Sequence, residues 1–391
     1  MNYSPALLIA ERSFLQRKLR WLKSLLEFSL LSLLLLPVST CAETKAADDQ
    51  KVFVGYLFRQ PAKIDFKLYT HICHAFITAD GKGTINTNQF VPNREITSAA
   101  HAAGVKILVS LGGWGWDKQF AAIVSKPESE DRFSRAVLEI VDSFNYDGID
   151  LDWEYPDTRE EIVGFERMAR RFRKELDELG KRKNLPMFQT MAAAANPETL
   201  KWLGKDLLME TMDWLNVMTY DMAGEWTDYA GHHSPLFASS KQPGHPRSTE
   251  LSMKYLLERG IPANRLAVGI PLYGKGFAVS EPYASTASAK GTRDARTPRG
   301  GSYAKLLQLQ KDKNWARKWD DETKNPWLFA PDGNAVIGYD DPESVALKSE
   351  WTFKQGFRGV FFWEIGGDLL PDGTNPLQKI ARTKMDELTG H

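Results

Sequence analysis

The sequence predicts an α/β protein whose parallel strands close into a (β/α)8 TIM barrel. Eight short apolar or β-branched segments recur along the 391 residues, and segments with helical periodicity separate them. Strands joined through helices form parallel sheets, and such connections are right-handed. A doubly wound open sheet is the alternative, but eight regular units favour closure of the barrel.

The strands and helices alternate in the order that this fold requires. The predicted strands are residues 52–56, 71–77, 106–111, 148–153, 188–192, 214–218, 266–271 and 359–363. The predicted helices are residues 93–103, 128–144, 159–182, 197–212, 248–259, 342–355 and 375–388. Asp341 followed by Pro342 shows how a helix start is recognised, because an N-cap acid and a proline in the first turn both favour initiation.

A long segment interrupts the alternation after the seventh strand. Residues 278–336 separate this strand from the helix at 342–355, whereas the loops of a plain barrel are far shorter. The segment contains a helical pattern at 303–311, so we predict a small α+β insertion between strands seven and eight, on the catalytic face. Its basic residues are interpreted as a solvated turn rather than a phosphate site. They are Lys290, Arg293, Arg296 and Arg299.

Residues 1–42 have the order of an export signal, which separates them from the predicted catalytic domain at 43–391. A basic stretch at 17–23 precedes an apolar run at 28–36, and small residues follow. The apolar run is shorter than the roughly 20 residues of a membrane span, although an uncleaved signal anchor is an alternative. We therefore expect a secreted or periplasmic protein without a stable membrane span. Cys41 offers a second alternative, a lipid anchor.

Charge and cysteine content narrow the possible partners. The chain carries 50 basic and 50 acidic residues, so nothing attracts it in general to nucleic acid or to anionic membranes. Its two cysteines are Cys41, at the signal boundary, and Cys73, in an apolar run. The exported body therefore has no internal disulfide, and Cys73 is predicted to be buried.

Acidic residues are concentrated on the fourth predicted strand. Side chains alternate between faces along a strand, so Asp150, Asp152 and Glu154 share the face that points into the barrel. The residues between them are apolar and face the helices. Asp147 has the opposite parity and is interpreted as structural.

Three stacked carboxyl groups inside a barrel predict acid catalysis. They cannot all be ionised cheaply, so at least one should hold a proton near neutral pH. Glu154 lies last, at the C-terminal end of its strand, where barrel active sites open, and this favours a general acid. A Mg²⁺ or Ca²⁺ site is the alternative, but no other dense set of ligands occurs at strand ends. His232 and His233 are interpreted as part of a polar loop, and we expect neither metal nor cofactor.

The acidic strand resembles a known signature. Asp147, Asp150, Asp152 and Glu154 form the pattern D-x-x-D-x-D-x-E of family 18 glycoside hydrolases, the chitinases and their relatives. Other motifs similar to that family occur in the expected order along the chain, at the ends of further strands and in the loop after strand six. They are SLGGW at 110–114, MTYD at 218–221, GHHSPL at 231–236, PLYG at 271–274 and GVFFWE at 359–364. The resemblance covers residues 51–368.

The resemblance implies roles for four catalytic residues. Glu154 would protonate the glycosidic oxygen, and Asp152 would orient the substrate's 2-acetamido group, which supplies the nucleophile. Tyr220 would hold the acetamido carbonyl oxygen. Asp150 would share a proton with Asp152 and accept hydrogen bonds from Tyr56 and Ser110.

The resemblance also implies a substrate-binding surface. Its members would be Tyr56, Phe76, Gly113, Trp114, Met218, Asp221 and Trp363. Trp363 would form the floor under the reacting sugar, and Trp114 would stack on further sugars. For Trp116, stacking and core packing both remain open. Lys275 departs from the family pattern, since many relatives have arginine there.

The implied activity is retaining hydrolysis of β-1,4 bonds between N-acetylglucosamine units of chitin or chitin oligomers by a monomeric enzyme. A lectin-like protein that binds chitin without cleaving it is one alternative, and a hydrolase of another N-acetylglucosamine glycan is a second. The presence of Glu154, Asp152 and Tyr220 together favours an enzyme.

Overall fold

All eight predicted strands are present in the computed structural model, which describes residues 50–286 and 300–390. They are β1 (Val52–Phe58), β2 (His71–Ala79), β4 (Lys106–Gly112), β5 (Gly148–Asp152), β6 (Phe188–Ala194), β7 (Trp214–Met218), β8 (Leu266–Pro271) and β14 (Gly359–Trp363). They pair in parallel in the order β1-β14-β8-β7-β6-β5-β4-β2, and pairing of β1 with β2 closes the barrel. The predicted fold class is confirmed. The short strand β3 (Ile85–Asn86) extends β2 as an antiparallel neighbour.

Helices connect the strands around the barrel. They are α1 (Arg94–Ala102), α2 (Asp117–Val124), α3 (Pro127–Ser143), α4 (Arg159–Lys183), α5 (Pro197–Leu200), α6 (Lys205–Thr211), α7 (Thr249–Glu258), α8 (Tyr303–Lys313), α9 (Pro342–Lys354) and α10 (Pro376–Thr389). The prediction of one helix at 197–212 was wrong. Gly204 takes an extended conformation there and becomes the N-cap of α6, so two short helices form.

The outward face of β5 is fixed by aromatic packing. Trp153, directly after β5, stacks on Phe120 of α2 with ring centroids 5.2 Å apart, and its ring edge meets Phe165 of α4 at 6.2 Å. All three rings are buried. This contact explains α2, which the sequence analysis did not predict, since Phe120, Ile123 and Val124 give it a buried face. The opposite face of the strand, which carries the acids, must then point into the barrel.

A second sheet follows β8. It consists of β9 (Tyr273–Phe277), β10 (Gly301–Ser302), β11 (Ala316–Asp320), β12 (Asn325–Phe329) and β13 (Val336–Gly338). Their order is β10-β9-β13-β12-β11, every pairing is antiparallel, and α8 lies between β10 and β11. The predicted insertion limits of 278–336 fall inside this sheet. Lys290, Arg293, Arg296 and Arg299 lie outside the described residues.

The second sheet packs against the loop that follows β7. Ala230 in this loop exchanges backbone hydrogen bonds with the segment around Tyr283, and Ala223 and Ala230 share an apolar cluster with Phe277 and Trp327 of the sheet. The sheet therefore supports residues near the C-terminal end of β7.

The described residues bear on two further expectations. Cys73 is buried, as predicted. Between residues 50 and 390, no described helix is long and apolar enough to cross a membrane. The predicted signal peptide at 1–42 and Cys41 lie outside the described residues.

Candidate active site

The acids of β5 lie inside the barrel. Asp150 is fully buried and Asp152 nearly so, while Ile149 and Leu151 between them pack in the surrounding core. Gly148 starts the strand because a Cβ at this position would come 1.9 Å from the carbonyl oxygen of Phe188 on β6. Close approach of the two backbones thus fixes the register of β5, and with it the height of each acid.

Asp150 is held by hydroxyl groups from three other strands. Its Oδ2 accepts hydrogen bonds from the Tyr56 hydroxyl at 2.8 Å and from Ser110 Oγ at 2.7 Å, and its Oδ1 accepts one from Thr190 Oγ1 at 2.6 Å. Asn216 Nδ2 lies 3.4 Å from Oδ1 and 3.2 Å from the Tyr56 hydroxyl oxygen. Burial raises the pKa of Asp150, and these hydrogen bonds oppose the rise.

Asp152 is the least satisfied of the buried acids. Burial raises its pKa well above the ordinary value, and the charges of Glu154 and Asp150 raise it further. Its Oδ1 atom is buried and has no hydrogen-bond partner among the described residues. A buried acceptor of this kind is costly unless a donor reaches it. Asp152 can therefore accept a hydrogen bond from a bound ligand.

Glu154 lies at the mouth of the barrel, two residues beyond Asp152. Burial raises the pKa of its carboxyl group to about 7, and the nearby charge of Asp221 contributes to the rise. The Tyr155 hydroxyl donates to Glu154 Oε2 at 3.1 Å and acts in the opposite direction. A carboxyl group that titrates near neutral pH can donate and accept a proton in one reaction cycle.

Asp221, after the end of β7, stays ionised because donors surround it. Its Oδ1 accepts a hydrogen bond from the Tyr273 hydroxyl at 2.7 Å and lies 3.3 Å from Lys275 Nζ and 3.5 Å from His233 Nδ1. Burial alone would raise the pKa of Asp221, but His233, Lys275 and Tyr273 together lower it to about 2. Lys275, the departure from the family pattern, thus contacts Asp221 directly.

The two adjacent histidines lie in the loop that follows β7, as predicted, but both of their side chains are buried. The His233 side chain reaches Asp221, and its Nε2 lies 3.1 Å from the carbonyl oxygen of Tyr273. The His232 ring packs on Trp327 of the second sheet with centroids 4.0 Å apart. Both rings fill the space between the β7 loop and that sheet. In the part of the chain that the structure describes, no three metal-binding side chains are grouped to hold an ion.

Half-buried aromatic and thioether groups line the mouth beside the acids. Phe76, Met218, Tyr220 and Trp363 pack on one inner cluster, which includes the buried Tyr56. The Trp363 ring stacks on Phe76 with centroids 5.7 Å apart. Burial raises the pKa of Tyr220 well above its ordinary value, and the charges of Asp152 and Glu154 add to this, so its hydroxyl keeps its proton.

Gly113 allows Phe76 to approach the barrel mouth. A Cβ on Gly113 would lie 2.7 Å from the Phe76 ring, and the φ angle of +87° is one that residues with side chains rarely adopt. The next residue, Trp114, is 80% exposed, whereas Trp116 is half-buried against the core. Of the two tryptophans, Trp114 therefore offers the larger exposed face to a ligand.

An open groove of about 840 Å³ runs from Glu154 past Trp114. It is lined by Trp114, Gly115, Asp117, Glu154, Tyr155, Pro156, Asp157, Ile162, Glu198, Thr199, Lys201 and Trp202. Trp226, 49% exposed, is a further aromatic group near Asp221, since Lys275 Nζ lies 4.8 Å from its ring centre. Exposed aromatic faces around an acidic centre suit the apolar faces of sugar rings.

Several contact residues escaped the sequence analysis. Thr190 and Asn216 hold Asp150, Tyr155 contacts Glu154, and Tyr273 contacts Asp221. A signal was present for the first two, because each is a polar residue in an otherwise apolar strand, at a position whose side chain points inward. Tyr155 lies beyond the end of β5, where the period-two pattern no longer applies, and Tyr273 begins β9, a strand that the sequence did not predict.

The fold and the acids define a class, the (β/α)8-barrel hydrolases that open their sites at the C-terminal ends of the strands. Residues 45–368 match the model of glycosyl hydrolases family 18. The chain therefore belongs to glycosyl hydrolase family 18, as the sequence analysis predicted.

Proteins of similar sequence include chitinases from a fungus and a bacterium. Chitinase 1 of Aphanocladium album is 26% identical over 342 residues, which are 78% of this chain and 77% of the relative. Chitinase B of Serratia marcescens is 27% identical over 337 residues, 71% of this chain and 67% of the relative.

Solved structures share the fold. Chitinase ChiW from Paenibacillus sp. str. FPU-7 has a TM-score of 0.75 and 26% identity, and the match covers 86% of this chain and 33% of that one. The group IV chitinase of Ostrinia furnacalis, solved in complex with allosamidin, has a TM-score of 0.73 and 26% identity. That match covers 86% of this chain and 99% of the Ostrinia chain.

Proposed function

We propose that the protein hydrolyses the β-1,4 bonds between N-acetylglucosamine units of chitin or chitin oligomers, with retention of configuration. The observation that carries this proposal is the Glu154 carboxyl group, whose pKa is raised to about 7 at the mouth of the barrel, beside the buried Asp152. Membership of family 18 and the relatives named as chitinases support the choice of substrate.

In the first step, Glu154 donates its proton to the glycosidic oxygen. The sugar that contributes the anomeric carbon of this bond also carries an acetamido group. The carbonyl oxygen of that group attacks the anomeric carbon from the face opposite the glycosidic oxygen. The bond between the anomeric carbon and the glycosidic oxygen breaks, and the departing sugar leaves with a new hydroxyl group. An oxazolinium ion remains. Because the substrate itself supplies the nucleophile, neither Asp152 nor Glu154 has to form a bond to the anomeric carbon.

Asp152 and Tyr220 orient the acetamido group in this proposal. The unpartnered Oδ1 of Asp152 accepts a hydrogen bond from the acetamido N–H, which makes the carbonyl oxygen a better nucleophile. Tyr220, which keeps its proton because burial and acidic neighbours raise its pKa, donates to that carbonyl oxygen. Asp150, held by its ring of donors, supports a proton on Asp152 when Glu154 is ionised.

The second step reverses the proton transfer. Glu154, now ionised, removes a proton from a water molecule, and the water oxygen attacks the anomeric carbon. The oxazolinium ring opens, the acetamido group is restored, and Glu154 is protonated again. Two inversions at one carbon give net retention.

The surrounding surface accounts for sugar binding. The Trp363 ring forms the floor under the reacting sugar, with Phe76, Met218 and Asp221 beside it. Gly113 makes room for Phe76, and the exposed face of Trp114 stacks on a further sugar in the groove. The enzyme acts as a monomer in the secreted or periplasmic space. Its mature form begins after residue 42.

A Glu154→Gln variant tests the assignment of the acid. Loss of a general acid lowers the rate by about 10²- to 10⁴-fold. We therefore expect kcat on N-acetylglucosamine oligomers to fall by at least about 100-fold, the lower limit of this range. Affinity for uncleaved oligomers should stay within about twofold, because the amide keeps the shape of the site. Glu160→Gln, on the exposed first turn of α4, is the matched control and should keep full activity.

The same assay separates the proposed reaction from its alternatives. The wild type should cleave N-acetylglucosamine oligomers and leave cello-oligosaccharides of equal length intact, since only the former carry an acetamido group. NMR of the first product should show the β-anomer. Binding without turnover by the wild type would indicate a lectin, and preferential cleavage of glycopeptides would indicate a hydrolase of another N-acetylglucosamine glycan.

A further inference from the structure

An ion pair is completely buried behind the catalytic face, outside the site described above. Lys348, in the second turn of α9, and Asp340, between β13 and α9, both have fully buried side chains. Lys348 Nζ lies 2.6 Å from Oδ1 and 2.7 Å from Oδ2 of Asp340. Burial lowers the pKa of Lys348, and the charge of Asp340 opposes that change.

Stability alone does not explain a buried ion pair. Removing two charges from water costs several kcal/mol for each ion, and apolar residues of equal size often serve a fold as well or better. Asp340 is also fully engaged elsewhere, since its Oδ1 accepts hydrogen bonds from Ser344 Oγ at 2.7 Å and Asn325 Nδ2 at 3.2 Å. The pair thus joins α9 to β12 of the second sheet and fixes Lys348 Nζ at one point.

Lys348 Nζ also contacts Ser234. This serine belongs to the motif GHHSPL, to which the proposed function assigns no role. Lys348 Nζ donates to the Ser234 carbonyl oxygen, and to Ser234 Oγ at 2.9 Å. A lysine ammonium group has no lone pair, so the Ser234 hydroxyl must be the acceptor. Its own proton is therefore free to be donated, and the carbonyl oxygen of Thr219 lies 3.1 Å from Oγ.

Thr219 is the first residue after β7, and Tyr220 and Asp221 follow it directly. Next to this contact, Met222 N donates to the carbonyl oxygen of His233 at 2.9 Å. The backbone on both sides of Tyr220 and Asp221 is thus bound to residues 233–234, and Ser234 is anchored by a charge. No other described side chain donates to the Thr219 carbonyl oxygen.

We propose that Lys348, Asp340 and Ser234 act as positioning residues that hold the end of β7, so that Tyr220 meets the acetamido group in the reactive geometry and Asp221 stays beside the reacting sugar. This inference rests on the proposed function, in which Tyr220 holds the acetamido carbonyl oxygen. A displacement well below 1 Å at Tyr220 matters more to the transition state than to substrate binding, because the hydrogen bond strengthens as charge develops.

Ser234→Ala is the direct test, since it removes one hydroxyl group and leaves the Lys348–Asp340 pair in place. A hydrogen bond to a buried carbonyl group is worth about 1 kcal/mol, so we expect kcat on chitotetraose to fall about fivefold. KM should change less than about twofold, because distal sugars bind as before. Ser349→Ala is the matched control. It removes an equally buried hydroxyl group on α9, for which no partner occurs among the described residues, and should keep wild-type kinetics.

An inhibitor comparison separates positioning from a merely structural role. A thiazoline analogue of the oxazolinium ion should bind Ser234→Ala about fivefold more weakly, in parallel with kcat. Affinity for uncleaved oligomers, measured in the Glu154→Gln background, should be unchanged. Equal weakening of both ligands, or a kcat within twofold of the wild type, would overturn the proposal.

A second variant covers the case in which Ser234→Ala does not fold. Lys348→Met with Asp340→Asn replaces the charges by a neutral pair and keeps an acceptor for Ser344 and Asn325. It should also lower kcat with little change in KM, and wild-type kcat in this variant would overturn the role of the ion pair. Failure of the proposed function itself is distinguishable, since the wild type would then not cleave the oligomers at all.

Discussion

Two carboxyl groups that influence each other, those of Glu154 and Asp221, have very different pKa values, and the cause is local. Burial raises the pKa of Glu154 to about 7, although hydrogen bonds with Tyr155 and Asp152 oppose the rise. Asp221 is also partly buried, but a lysine, a histidine and a tyrosine surround it and its pKa is about 2. Such separation of pKa values assigns proton transfer to Glu154 and a fixed negative charge to Asp221.

Tyr155 gives a residue-level prediction about pH dependence. Its hydroxyl donates to Glu154 Oε2, which favours the ionised form and lowers the pKa. Tyr155→Phe removes this effect, so the pKa of Glu154 should rise above about 7. Because the reaction needs protonated Glu154 in its first step, the basic limb of the kcat/KM profile should move to higher pH.

The measurement is kcat/KM for an N-acetylglucosamine oligomer between about pH 4 and 10. These limits are about the ordinary pKa values of a glutamate carboxyl group and a tyrosine hydroxyl group. Tyr255→Phe serves as the control, since the Tyr255 hydroxyl on α7 donates to the carbonyl oxygen of Pro197 and makes no described contact with Glu154. A basic limb that stays in place or moves to lower pH in Tyr155→Phe would contradict the assignment of Glu154.

The period-two pattern was enough to place Asp150, Asp152 and Glu154 on one face, because strand geometry alone sets that parity. It could not reveal Thr190 or Asn216 as partners of Asp150. Their contacts exist only once β6 and β7 stand beside β5 in the closed barrel. The same holds for Lys275 and Asp221, which are far apart in sequence and meet through the register of β9.

Among the elements, helix starts were the most predictable and strand pairs in the second sheet the least. Caps are local, so Asp341 and Pro342 marked α9 in the sequence. The break at Gly204 shows the limit, because one residue with extended backbone divided a continuous helical pattern. Strands β11, β12 and β13 were missed because each is short and gains its stability from its neighbours.

The start of α4 gives a prediction at this scale. The Thr158 side chain accepts from Glu161 N at 3.2 Å, and the Glu161 side chain accepts from Thr158 N at 3.3 Å. Thr158→Ala should lower the free energy of unfolding by about 1 kcal/mol, since it leaves a helix amide without its acceptor. Urea denaturation would measure the change. Thr158→Ser keeps the oxygen and should differ little from the wild type, so equal losses in both variants would contradict a capping effect.

The number of strands and the rule of right-handed connections were enough to predict a closed barrel. When eight parallel strands follow one another around a ring, the two neighbours of each strand are fixed, and the observed order agrees, including the β1–β2 pairing. The second sheet has no such rule, because its chain order and its spatial order differ.

The predicted export signal gives a prediction for the intact chain. A protein that begins at residue 43 should fold with the same Tm and kcat as the full-length chain, since the barrel begins at Val52. When the full-length chain is expressed in a host with a secretory pathway, mass spectrometry of the exported product should show cleavage after Ala42. A retained N-terminus would indicate a signal anchor, and a lipid on Cys41 would indicate a lipoprotein.

Asp150 accepts each of its hydrogen bonds from a different strand, and this limits which parts of the barrel can be exchanged in evolution. Tyr56, Ser110, Thr190 and Asn216 come from β1, β4, β6 and β7, so four strands each supply one polar group to a carboxylate on a fifth. A segment exchanged by recombination with an unrelated barrel would bring an apolar residue to one of these positions and leave Asp150 underbonded. Inheritance should therefore keep these five strands together as a block, while helices and loops are free to diverge around them.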